Sequence, residues 1–366
     1  LPDQKVTLTV KNLFHSYKKE LLFFQSHVYP QGGTLNFMKK ICYILLSITC
    51  ITTLSLPGWA KQPQPALQKI TIGMAYIPSV QFAPWYVAKE KGFFREAGLD
   101  VNFDYRMDID ALQLVAVGQL DYAIAGGDQV ITARAQKIPV VYLASLYAKF
   151  PPTIIAKTKS KITKPQDLRG KKIGLPLYGT NLLAVKAILH KAGLSESEVQ
   201  LVDIGYTQIA SLTANKVDAV VGFANNEPLK LRASGYAITQ INTWDYFPLV
   251  GHGLITGEPK LARSPKQVRQ MVQATIKGMR YALKHPDETF QICRKYLPEL
   301  GKEQQKSEQQ VLLASMQLWE NAYTRKNGLG RSNPKDWAES QQLMKELGLI
   351  KKTTPVNKLL NLSFIK

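Results

Sequence analysis

The sequence predicts an α/β protein built as two matching lobes, on three observations. Apolar runs of strand length alternate with helical patterns, the order that gives largely parallel sheets flanked by helices. The pattern recurs at about 100 residues, a spacing of duplicated lobes rather than of a solenoid. In each half the later strand runs into a polar loop, Gly126-Gly127-Asp128-Gln129 in one and Asn225-Asn226-Glu227-Pro228 in the other.

In order, residues 70–76 read as the first strand, followed by a turn and a helix in which Pro84 suits the first turn, whose amides lack intrahelical partners. Phe82 and Trp85 are expected at the mouth of a cleft, because ligands of open α/β sheets bind beyond the carboxyl ends of the strands. Ile72-Gly73 has its counterpart in Ile173-Gly174, and both following helices close on Ala-Gly-Leu, at 97–99 and 192–194, where glycine suits a left-handed cap. Extended runs at 99–105 and 199–204 come next, then helices at 110–118 and 207–215. Strands at 120–125 and 217–222 share an aspartate, Asp121 and Asp218. Residues 130–137 read as a helix and 140–144 as a strand, and 153–156 cross into the second lobe. A return near 244–255 leads into helical patterns at 266–284, 287–296, 303–323 and 334–347, expected to pack on the first lobe. The resulting division is 68–155 plus 248–366 for lobe one and 156–247 for lobe two, joined by a two-crossing hinge.

The 366-residue chain carries a net charge of +20, and removing the six lysines and two acids of residues 1–60 leaves +16, scattered rather than gathered on one helix. No nucleic-acid motif accompanies it, so a nucleic-acid partner is not expected. Met38-Lys39-Lys40, an apolar segment 41–56 and the small residues Gly58 and Ala60 at −3 and −1 form a secretory signal over 38–60, with the cut after Ala60 and a periplasmic destination. Residues 1–37 upstream of it read as a non-native extension. Cys42 and Cys50 leave with the signal, and Cys293 remains without a disulfide partner.

His190, His252 and His285 show no metal-ligand spacing, and neither a nucleophile elbow nor a phosphate loop is present. Neither cofactor nor metal is expected. Aromatic residues at inferred strand ends and crossovers, Phe82, Trp85, Tyr147, Phe150, Tyr178, Trp244 and Tyr246, suit stacking on a planar ring. Polar candidates are Asp128, Gln129, Asn225, Asn226 and Glu227, with Asp108 more remote. Acids and amides without an arginine suit the donors on a heterocycle's edge and suit a sulfonate badly.

The residues 77–88 (Ile-Pro-Ser-Val-Gln-Phe-Ala-Pro-Trp-Tyr-Val-Ala), with Lys91-Gly92-Phe93-Phe94, Gly127-Asp128-Gln129-Val130, 138–142 and Ala224-Asn225-Asn226-Glu227-Pro228, resemble the periplasmic binding proteins related to thiamine pyrimidine synthase, in the branch linked to riboflavin and formylaminopyrimidine. The resemblance covers residue 68 to the end. It implies a bilobed type II periplasmic binding fold, a monomer delivering a small molecule to an ABC permease and its ATPase. The synthase of that family holds pyridoxal phosphate on a lysine and consumes a histidine, at positions that correspond here to Ala125 and Gln129. A Schiff base needs an amine, so a binder is expected, with the synthase as the alternative and an alkanesulfonate as the alternative ligand.

Overall fold

The computed structural model describes residues 66–107 and 110–365. The extension at 1–37, the signal at 38–60 and the candidate Asp108 lie outside these residues. Ten strands form among those described: β1 (Gln68–Gly73), β2 (Leu99–Asp104), β3 (Tyr122–Gly126), β4 (Val140–Ser145), β5 (Pro152–Lys157), β6 (Lys172–Leu175), β7 (Gln200–Asp203), β8 (Ala219–Phe223), β9 (Ile238–Asn242) and β10 (His252–Gly257). They assemble into two five-stranded sheets, in the orders β2-β1-β3-β10-β4 and β7-β6-β8-β5-β9.

The two sheets repeat one plan. In the first, β1 pairs in parallel with β2 and β3, and β10 runs antiparallel between β3 and β4. In the second, β6 pairs in parallel with β7 and β8, and β5 runs antiparallel between β8 and β9. The antiparallel member of each sheet is therefore the strand by which the chain arrives from the other. β5 pairs only within the second sheet, so a boundary at 155/156 falls inside it.

Local chemistry explains the repeat. Asp121 accepts the amide of Thr71 at 3.0 Å, and Asp218 accepts that of Lys172 at 2.8 Å, so each aspartate ties the start of one strand to its parallel neighbour. Gly98 and Gly193 adopt φ of 78° and 66°, the left-handed geometry expected of helix-ending glycines. The apolar strand interiors are buried on both faces, as strands covered by helices on either side must be.

Helix Pro265–Lys284 lies against helix Ala83–Glu90 so closely that a Cβ on Gly278 would stand 2.2 Å from the Pro84 carbonyl oxygen. Helix Pro286–Arg294 joins the same layer, as expected for the C-terminal helices. The 303–323 pattern instead breaks into Gln305–Leu318 and Ala322–Asn327. The first of these touches both lobes: it packs on the turn Val80–Phe82 and also on Glu227–Ala233, where Lys230 pairs with Glu308 at 2.7 Å.

Candidate functional site

A cavity of about 150 Å³ lies between the carboxyl ends of the two sheets. The first sheet supplies Met74, Ala75 and Tyr76 after β1, Gln129 after β3, and Leu146 and Tyr147 after β4. The second supplies Pro176 and Tyr178 after β6, Tyr206 and Gln208 after β7, and Asn226 and Glu227 after β8.

Six of the expected residues line this cavity: Phe82, Gln129, Tyr147, Tyr178, Asn226 and Glu227. Gln129 and Glu227 do matching work, each folding its carbonyl or carboxylate oxygen back onto the strand that precedes it. Gln129 Oε1 accepts the Gly126 amide at 2.8 Å, and Glu227 Oε2 accepts the Phe223 amide at 2.7 Å. Asn226 donates to Glu227 Oε1 at 3.2 Å. Burial still raises the Glu227 carboxyl above its ordinary range.

Six of the residues expected at the groove lie off this wall. Trp85 does not face the cleft: it is 1 % exposed in the core beneath the C-terminal helices, edge-on to Phe82 at 6.4 Å. The helix that carries it is buried by Pro265–Lys284, which turns the Trp85 face inward. Phe150 is likewise core, while Tyr246 and Trp244 are half-buried against apolar clusters away from the cavity. Asn225 and Asp128 lie just behind the cavity rather than on its wall.

Both serve as fastenings between lobes. Asn225, 1 % exposed, points its Nδ2 at Gln81 Oε1 (3.0 Å), the Tyr147 hydroxyl (3.2 Å) and Ser315 Oγ (2.7 Å), all on the first lobe. The Tyr147 hydroxyl also donates to Gln81 Oε1 at 3.1 Å. Asp128 Oδ1 accepts from Thr180 Oγ1 of the second lobe at 3.0 Å. Burial lifts the Asp128 carboxyl to about 6, against the lowering pull of Thr180 and of the helix-start amides.

Sequence reasoning missed two tyrosines of the cavity wall, Tyr76 and Tyr206. Tyr76 of the first lobe meets Tyr206 of the second edge-to-face at 5.6 Å, and Tyr206 is braced by the Tyr178 hydroxyl at 3.3 Å. Each stands beside a left-handed residue: Ala75 (φ 57°), Gly205 (φ 51°) and Gly179 (φ 60°). Ala75 carries a side chain in that region, a local cost of the kind that gathers at binding sites. His252 also lines the cavity, and burial depresses its imidazole to about 4, so it is neutral at pH 7. Glu227 is the one acidic side chain on the described wall, which holds no lysine or arginine.

The family model described as NMT1/THI5 like matches residues 79–289, which is more than half of the chain. The chain belongs to the NMT1/THI5-like family. Similar to this NMT1/THI5-like chain is the riboflavin-binding protein RibY of Chloroflexus aurantiacus, 34 % identical over 336 residues that cover 89 % of this chain and 96 % of that one. The formylaminopyrimidine-binding protein of Halalkalibacterium halodurans is 29 % identical over 262 residues, 70 % of this chain and 78 % of that one. Among solved structures, the alkanesulfonate-binding protein SsuA of Xanthomonas axonopodis pv. citri superposes with a TM-score of 0.63 at 16 % identity, covering 82 % of this chain and all of that one. This likeness carries the bilobed periplasmic-binding fold. Both of these relatives are named as binding proteins, and neither Ala125 nor Gln129 offers the amine an internal aldimine requires.

Proposed function

We propose that this protein is the extracytoplasmic substrate-binding component of an importer for a planar heteroaromatic vitamin or precursor, a flavin foremost and a thiamine pyrimidine second. The observation that carries the reading is the cavity wall: aromatic rings from both lobes, a single buried carboxyl group and no lysine or arginine among the described lining residues. Stacking on Phe82, Tyr76 and Tyr206 suits a flat ring, and Glu227 suits its N–H edge. Asn181 Oδ1 and His252 Nδ1, on residues of the same wall, are buried without a protein partner. A sulfonate would meet Glu227 with no compensating cation. The names of the two sequence relatives favour the same pair of ligands.

The delivery partners are an ABC permease and its ATPase, the protein acts as a monomer, and residues 38–60 direct its export. Titration with riboflavin, an aminopyrimidine and taurine, read by flavin fluorescence and calorimetry, tests the ligand class: saturable binding to taurine alone overturns it. The mass of the mature N-terminus tests the cut after Ala60.

A further inference from the structure

Behind the cleft cavity lies a second one, of about 370 Å³. The partition between them is thin, because Gln129 and Gly179 line both. It consists of that pair and the neighbouring hydrogen bond from Thr180 to Asp128. Gly179 brings no side chain to the partition: a Cβ there would stand 3.5 Å from Gln129 Nε2, and its φ of 60° favours glycine. Asp128 and Thr180 sit on different lobes, so separating the lobes breaks the partition and joins the two spaces.

The walls of the second cavity differ in chemistry. Helix Gly127–Ala135 and its cap present Asp128, Thr132 and Gln136, four residues apart and hence on one face. Opposite them stand Leu182 and Leu183, with Met344 beside them. Asp128 is 5 % exposed and has no lysine or arginine partner among the described residues. A carboxylate so placed is satisfied by neutral hydroxyl donors, of which Thr180 is one.

We infer that this second cavity receives a polyhydroxylated tail of the same ligand whose ring occupies the cleft, with Asp128, Thr132 and Gln136 taking the tail's hydroxyls and Leu182 and Leu183 covering its C–H edge. The inference rests on the ring-binding reading above and narrows it to a ring bearing a sugar-alcohol chain. A bare pyrimidine would leave the space unused.

Riboflavin and lumiflavin share one ring system and differ in that a methyl replaces the ribityl chain, so the pair isolates the tail. The full chain is expected to bind riboflavin about tenfold or more tightly than lumiflavin, the worth of one net hydrogen bond or more. Leu182→Trp, which fills the second cavity, should bring riboflavin down to lumiflavin's affinity and leave lumiflavin unchanged. Gln136→Leu, which preserves volume, should move riboflavin the same way, and thermal melts of both variants report folding. Equal affinities in the unaltered protein, or variants that weaken both flavins in step, overturn the tail subsite. Failure of lumiflavin and riboflavin alike to bind overturns the ring reading itself, and the subsite with it.

Discussion

Replacing Asp128 with asparagine removes a charge that burial disfavours and keeps the oxygen that accepts from Thr180. The folded carboxyl titrates near 6 instead of its ordinary 3.8, with burial as the largest cause. A difference of that size between the folded and unfolded carboxyl corresponds to ~3 kcal/mol of differential stability. The sign follows from proton counting. Between these two values the folded chain holds a proton that the unfolded chain has released, so stability falls as pH rises. The contribution is fully present below the unfolded value and is lost as pH passes the folded one. The variant is therefore expected to match the unaltered protein near about pH 4 and to exceed it by up to ~3 kcal/mol above about pH 7. Asp336, also raised to about 6 by burial, and Glu227 shape both curves alike and drop out of the difference. Urea unfolding across this range, followed by tryptophan fluorescence at fixed ionic strength, gives that difference directly. A pH-independent gap, or an unaltered protein that is the more stable at alkaline pH, refutes the reasoning, since the Thr180 bond would then outweigh desolvation.

Trp85→Ala should cost ~3–5 kcal/mol by emptying a core site, seen as an earlier urea midpoint; an unmoved midpoint contradicts its burial. Tyr206→Ala, at a residue 43 % exposed, should leave the melting temperature unchanged and weaken flavin affinity by the ~0.5–1.5 kcal/mol of one ring pair. Calorimetry showing full affinity would remove Tyr206 from the site. Asn225→Leu should cost ~1–3 kcal/mol because Gln81, Tyr147 and Ser315 lose their shared donor. Its signature is weaker binding together with a lower melting temperature, and a variant normal in both would show that the hub does not hold the lobes together.

The duplicated plan was legible because its signals are short-ranged: Asp121 and Asp218 each serve a neighbouring strand, and Gly98 and Gly193 end their helices where they stand. The direction a side chain faces was not. Trp85 and Phe82 share one turn, and the helix that decides between them, Pro265–Lys284, begins some 180 positions later in the chain. Gln81 and Ser315 carry no local mark, and their importance lies in meeting Asn225 at separations of 144 and 90 residues. Tyr76 was hidden by its expected inclusion in a strand over 70–76. The strand stops at Gly73, and the left-handed Ala75 swings the next residue into the cleft.

The borrowed strands impose an order of assembly. Every member of the second sheet comes from one continuous stretch, Pro152 to Asn242, so that half can complete itself as soon as it is made. The first sheet cannot: a slot between β3 and β4 stays open until His252–Gly257 arrives, more than a hundred residues after β4 ends. Pairing at such sequence distance is slow, since the loop must close before any contact rewards it. Amide protection in pulse-labelled refolding should thus appear in the later half before the earlier one, leaving Tyr122 to Ser145 with unzipped edges in the interval.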